Sequence, residues 1–96
     1  MIPQNQLNTI QTYFKDKPVL KAYLFGSHAR NEATAESDID ILVDLDYSQH
    51  IGWEFVGMKL DLEDLLHTKV DLISSNGLSK FIKPYIDNDK KVIYVR

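Results

Sequence analysis

The chain has 96 residues, 44% of them hydrophobic and 26% charged, with a formal net charge of −3 and no cysteine. That length supports one compact domain over residues 1–96 and leaves no room for a second. The missing cysteine excludes disulfide scaffolds and thiolate metal sites. The mildly acidic balance argues against a sequence-independent grip on DNA or RNA, so no direct nucleic acid contact is expected. The stretch Met1-Ile2-Pro3-Gln4-Asn5-Gln6 lacks the basic flank and apolar segment of a signal peptide. No apolar run approaches the roughly 20 residues of a membrane span, and a soluble cytoplasmic protein is expected.

Along the chain, Leu7, Ile10, Tyr13 and Phe14 recur at helical spacing behind Pro3, which suits a first helical turn; the spacing predicts a helix over 3–16 ended by Lys17-Pro18. Val19 to Phe25 is short, mostly apolar and bounded by Pro18 and Gly26, the pattern of a largely buried strand. Residues 27–37 are small and polar without periodicity and read as a loop, with one helical turn near Ala29-Arg30. In Asp38-Ile-Asp-Ile-Leu-Val-Asp44 a period of two sends Ile39, Ile41 and Val43 to one face and Asp38, Asp40, Leu42 and Asp44 to the other. Ile51, Phe55, Met58, Leu62, Leu65 and Leu66 predict a helix over 51–67. Trp53, Val56 and Leu60 widen its apolar stripe beyond one face, so part of it is free to contact something other than its own sheet. Val70-Asp-Leu-Ile73 reads as a strand and Val92-Ile-Tyr-Val95 as another. Between them Leu78, Phe81, Ile82, Tyr85 and Ile86 are spaced helically, and Pro84 suggests two short helices or a kink. A mixed sheet with flanking helices, an α/β (α+β) fold, is the expected outcome.

Three features carry chemistry. Gly26-Ser27 directly follows a buried strand, Asp38-x-Asp40 opens the next, and Asp71 lies within a third. Residues two apart in a strand share a face about 6–7 Å apart, so Asp38 and Asp40 present paired carboxylates that Asp71 can join from a neighbouring strand. Clustered carboxylates repel and raise one another's pKa; a hard divalent cation removes that cost, and carboxylates with phosphate oxygens are the donors Mg²⁺ prefers. Two such ions stabilise the attacking and leaving oxygens of a displacement at phosphorus. Gly26 lets backbone approach a phosphate, and exposed N–H groups with the Ser27 hydroxyl can donate to anionic oxygens. The fork of Arg30 suits the same polyphosphate. Each feature also has a plainer reading: a turn at Gly26-Ser27, a solvated acidic strand face at Asp38 and Asp40, a surface salt bridge at Arg30, a turn-shaping role for Ser37. Asp44, about 13 Å along the strand from Asp40, reads as a strand-end acid. His28, His50 and His67 have no metal-ligand spacing.

Gly26-Ser27-His-Ala-Arg30, Ser37-Asp-Ile-Asp-Ile-Leu-Val43 and Lys69-Val-Asp-Leu72 together resemble the signature of the minimal nucleotidyltransferases of the DNA polymerase β-like superfamily, and the resemblance extends over nearly the whole chain. It implies transfer of AMP from ATP. Asp38, Asp40 and Asp71 would hold Mg²⁺, two ions by that resemblance, with Asp71 the base toward the incoming hydroxyl; Gly26, Ser27, Arg30 and Ser37 would bind the nucleotide. It also implies a partner, since small members are commonly encoded beside a HEPN-domain ribonuclease toxin and act as its antitoxin by adenylylating a tyrosine. Two other readings stay open: an antitoxin that neutralises by binding alone, and transfer to a small molecule. The second is disfavoured by length, because the chain carries no further domain to cradle such a substrate.

Overall fold

The computed structural model describes residues 2–96; Met1, part of the stretch read as lacking a signal peptide and of the 1–96 domain, lies outside the described residues. Alternation of apolar and polar side chains builds the sheet. β1 (Val19–Phe25) and β2 (Ile39–Leu45) form its antiparallel centre, flanked by β3 (Val70–Ser74) parallel to β2 and β4 (Lys91–Val95) antiparallel to β1, in the order β3-β2-β1-β4. Two helices, α1 (Gln4–Phe14) and α2 (Glu54–Leu66), cover one face; α3 (Lys83–Asp89) lies over the other. No helix among the described residues is long and apolar enough to cross a membrane.

The two faces are unequal. Ile39, Ile41, Val43 and Leu45 point into the main core with Leu24, Ile10 and Phe14 of β1 and α1 and Met58, Leu62 and Leu66 of α2. The intervening Leu42 points to the opposite face, where it meets only Phe25 and Ile86, with Tyr23, Ile73 and Leu78 packed around them. One helix thus covers part of a face that elsewhere carries aspartate.

Several expected boundaries shift for local reasons. Pro3 occupies the N-cap of α1 (φ −59°, ψ 151°), and its carbonyl accepts from the N–H groups of Gln6 and Leu7, so helical dihedrals begin only at Gln4. α2 starts at Glu54 rather than 51 and ends where His67 turns left-handed (φ 53°). Of the two forms expected around Pro84, two short helices or a kink, the structure has a break rather than a kink: a 3-10 turn (Ser75–Gly77) and a bonded turn at Ser79–Ile82 precede the short helix α3, and Pro84 sits in its first turn, where its missing N–H costs nothing. Trp53, Val56 and Leu60 do not join the core; all three are exposed. The outer edge of β4 is blunted by Gln11, whose Nε2 donates to the Ile93 carbonyl at 2.9 Å.

Gly57 sits mid-helix in α2, and a Cβ built there would meet nothing within 4 Å. An interior helix glycine costs about 0.5–1 kcal/mol relative to alanine, a cost nothing in the chain's own packing requires.

The unequal faces predict unequal core sensitivity. Phe14, fully buried and stacked obliquely on Tyr94 with ring centroids 5.8 Å apart, should lose about 3–5 kcal/mol on Phe14→Ala. Ile86→Ala, in the small cluster, should cost about 2–3 kcal/mol, the low end for such a truncation. Denaturant unfolding of the two variants measures both; equal losses would contradict the two-cluster description.

Candidate active site

Three strand ends meet at one end of the sheet. Because β1 runs antiparallel to β2 and β2 parallel to β3, the C-terminal end of β1 lies beside the N-terminal ends of β2 and β3. The register forms a row across them: Phe25 opposite Asp40, and Asp40 opposite Asp71. Neighbouring strands lie about 4.8 Å apart and side chains of one row share a face, so the Asp40 and Asp71 carboxylates project together on the side that carries Leu42. Asp38 is the residue just before β2, exposed, with the next residue fixed by an Ile39 N–H bond to the Lys69 carbonyl at 3.0 Å.

The grouping shows in the electrostatics. Partial burial, then the charges of Asp71 and Asp38, push the Asp40 carboxyl up to about 6 from its ordinary 3.8, while Arg30 opposes the rise. Yet the three aspartates are not a closed cage: among the described residues no three His, Asp or Glu side chains stand assembled as a metal site. That donor set, carboxylate oxygens alone with room left over, fits Mg²⁺, which takes one or two carboxylates together with waters and substrate phosphates.

Gly26 closes the row. It adopts φ 74°, and a Cβ there would collide with the Asp40 carboxylate; only glycine both turns the chain and leaves that oxygen its space. The following segment is held by Arg30 N–H to the Gly26 carbonyl (3.1 Å) and Glu32 N–H to the Ser27 carbonyl (2.9 Å), a bonded turn in place of the helical turn expected near Ala29-Arg30. The Ser27 hydroxyl bonds to no group among the described residues, so it is open to an anionic ligand beside Asp40.

Arg30 and Ser37 stand differently. The guanidinium is near enough to Asp40 to act on its ionisation, and two of its five N–H donors are engaged: Nε to Glu32 Oε1 at 2.7 Å and Nη1 to Asp89 Oδ2 at 2.5 Å. These bonds hold its pKa above the ordinary arginine value. Ser37 turns its hydroxyl inward, accepting from the Thr34 N–H at 2.9 Å while its own N–H donates to the Thr34 carbonyl; the structure uses it to shape the loop before Asp38 and does not bring it to the carboxylates. Asp44 accepts from the Tyr23 hydroxyl at 3.2 Å, away from the row, in keeping with a strand-end acid.

Asp89 was not visible as a site residue from the sequence. It lies 59 positions from Arg30, at the end of a helix whose start the sequence places differently, and no spacing rule links the two. Lys90 escapes notice in the same way; its Nζ stands 4.7 Å from the Tyr23 ring centroid and pairs with Asp87 at 2.8 Å.

Comparison with known proteins agrees with this geometry. Residues 8–96 match the polymerase beta nucleotidyltransferase family. A protein of Methanocaldococcus jannaschii named as a protein adenylyltransferase is 42% identical over 84 residues, which cover 84% of this chain and 82% of that protein. Among solved structures, a toxin–antitoxin complex with AMP-PNP superposes with a TM-score of 0.80 at 23% identity, covering 94% of this chain and 73% of that one. A Shewanella oneidensis complex of a tri-AMPylated HEPN toxin with its MNT antitoxin superposes at 0.74 with 22% identity, covering 97% and 72%. At those identities the two structures speak for the fold alone. The sheet order, the aspartate row beside a glycine turn and the match over residues 8–96 lead to one conclusion: the chain belongs to the polymerase beta nucleotidyltransferase family.

Proposed function

We propose that this nucleotidyltransferase is a protein adenylyltransferase that moves AMP from ATP to a tyrosine hydroxyl of a HEPN toxin and serves as that toxin's antitoxin. The observation that carries the reading is the Asp40–Asp71 row beside the Gly26 turn, with Asp38 adjoining. The acceptor class is supported by relatives named as protein adenylyltransferases and by the AMPylated toxin of the Shewanella complex.

In this reading Asp38 and Asp40, with Asp71, hold Mg²⁺, two ions being the number suited to a displacement at phosphorus. When bound, the metal neutralises phosphate charge and steadies the leaving pyrophosphate. Gly26, with the Ser27 hydroxyl, receives the phosphates, and Arg30 borders them. Ser37 contributes by shaping the loop that presents Asp38. Asp71 takes the proton of the acceptor hydroxyl as its oxygen bonds to the α-phosphorus; the bond from that phosphorus to the bridging oxygen breaks and pyrophosphate departs. Positioning supplies much of the rate.

Asp71→Asn should lower AMP transfer about 10²–10⁴-fold, and Asp38→Asn or Asp40→Asn by about 10³-fold or more. Intact-mass measurement of the toxin after incubation with ATP and Mg²⁺ reads both. A wild-type chain that adds no AMP, or an Asp40→Asn variant that adds it at full rate, would falsify the assignment.

The raised Asp40 pKa has a second consequence, with a definite sign. Its folded value of about 6 lies above the ordinary 3.8, so the protonated folded form is favoured: its stabilising effect is full below pH 3.8 and is lost as pH climbs through 6. In the metal-free protein Asp40→Asn should therefore raise stability by about 1–2 kcal/mol at pH 7.5, discounted for the open side of the site, and by little at pH 4. Thermal unfolding at the two pH values checks this, an equal gain at both being the contrary result.

A further inference from the structure

The outer side of α2 is built for something the chain does not itself contain. Met58, Leu62 and Leu66 face the core, and the positions directly opposite on the helix are Trp53, Val56, Leu60 and Asp64, following one another at spacings of three and four residues. Trp53 is 88% exposed, Val56 48% and Leu60 55%. Gly57 adjoins them as a flat spot, without strain or a neighbour to explain it. A stripe of large apolar side chains beside a small one is what close approach of a second helix requires: anchors to bury and a gap through which backbones near each other.

Charge selects the occupant. α2 carries Glu54, Asp61, Glu63 and Asp64 against one basic residue, Lys59. Lys59 is taken by Glu63 at 3.5 Å, and among the described residues Glu54 and Asp64 make no ion pair. A second copy would set this acidic surface against itself, a like-charge juxtaposition that suppresses self-association. A helix whose apolar face is bordered by Lys or Arg complements it. We infer that the Trp53–Val56–Leu60 face of α2 is the docking surface for an amphipathic, basic-flanked helix of the acceptor toxin. The inference rests on the function proposed above and adds where the partner is held: on the side of the sheet away from the aspartate row, so that grip and chemistry use different surfaces.

The test uses the full chain and a HEPN toxin. Trp53→Ala/Leu60→Glu and, separately, Gly57→Leu should each weaken the dissociation constant measured by surface plasmon resonance at least tenfold, with melting temperatures near wild type. Asp64→Lys should weaken it as well and reduce its dependence on salt. Asp40→Asn should bind as wild type does. Unchanged affinity in the first two variants, no binding by the wild-type chain, or a wild-type dimer in sedimentation that Leu60→Glu dissolves would each overturn the inference. The two readings separate cleanly: variants that lose affinity while the wild type adds no AMP leave the docking surface standing and remove adenylyl transfer. AMP transfer with unmoved affinities does the reverse.

Discussion

The parallel register between β2 and β3 places Asp71 beside Asp40, and the rest of the site is arranged around that pairing. Partial burial of Asp40, and then repulsion from Asp71 and Asp38, push its carboxyl up to about 6. The strands cannot relieve the repulsion by slipping. Ile39, Ile41, Val43 and Leu45 are locked into the main core, and a shift by one residue would bury Asp40 and expose that whole set. The apolar face thus stabilises the acidic one in a geometry that it would not adopt alone.

What surrounds the pair follows from it. Gly26 has no side chain because the Asp40 carboxylate occupies that space, and the same residue starts the turn that leaves the Ser27 hydroxyl open. Arg30 is a positive charge that acts on Asp40, and its two carboxylate partners fix where it stands. Asp89 belongs to α3, which lies on the same face as the aspartate row, so the helix that buries Leu42 through Ile86 also ties down Arg30 in the turn after Gly26. Packing and electrostatics on this face are therefore one structure.

Local pattern made most of this legible. The alternation from Ile39 to Val43 assigned the two faces of β2 correctly, including the odd Leu42, because a period of two leaves each side chain one choice. Gly26, Asp38, Asp40 and Asp71 fell at strand ends that composition alone could locate. Pro84 leaves two forms open, two short helices or a kink, because its effect depends on position: the same missing N–H that breaks a helix interior is harmless in a first turn. The hydroxyl of Ser37 was open to two readings, and its bond with Thr34 depends on a loop conformation without periodicity. The Arg30–Asp89 bond was beyond reach for a different reason, since it joins two elements whose relative placement exists only after the sheet has formed.

Trp53 shows where pattern and packing part company. Helical spacing counts it with the apolar residues, yet a helix on a sheet can bury only one side, and the sheet takes Met58, Leu62 and Leu66. An apolar residue left over by that geometry is excess as far as the chain's own fold is concerned. Other apolar side chains are exposed elsewhere, Leu65 of α2 among them, but Trp53, Val56 and Leu60 line up opposite the core, beside a glycine that weakens the helix, on the most acidic element of an acidic chain. An isolated exposed apolar residue needs no special reason, but a run of them maintained at helical spacing along the outside of a helix works against solubility unless a second surface covers it. The sheet therefore separates two surfaces that would conflict on one face, since a row of carboxylates open to water cannot also be a dry apolar seam.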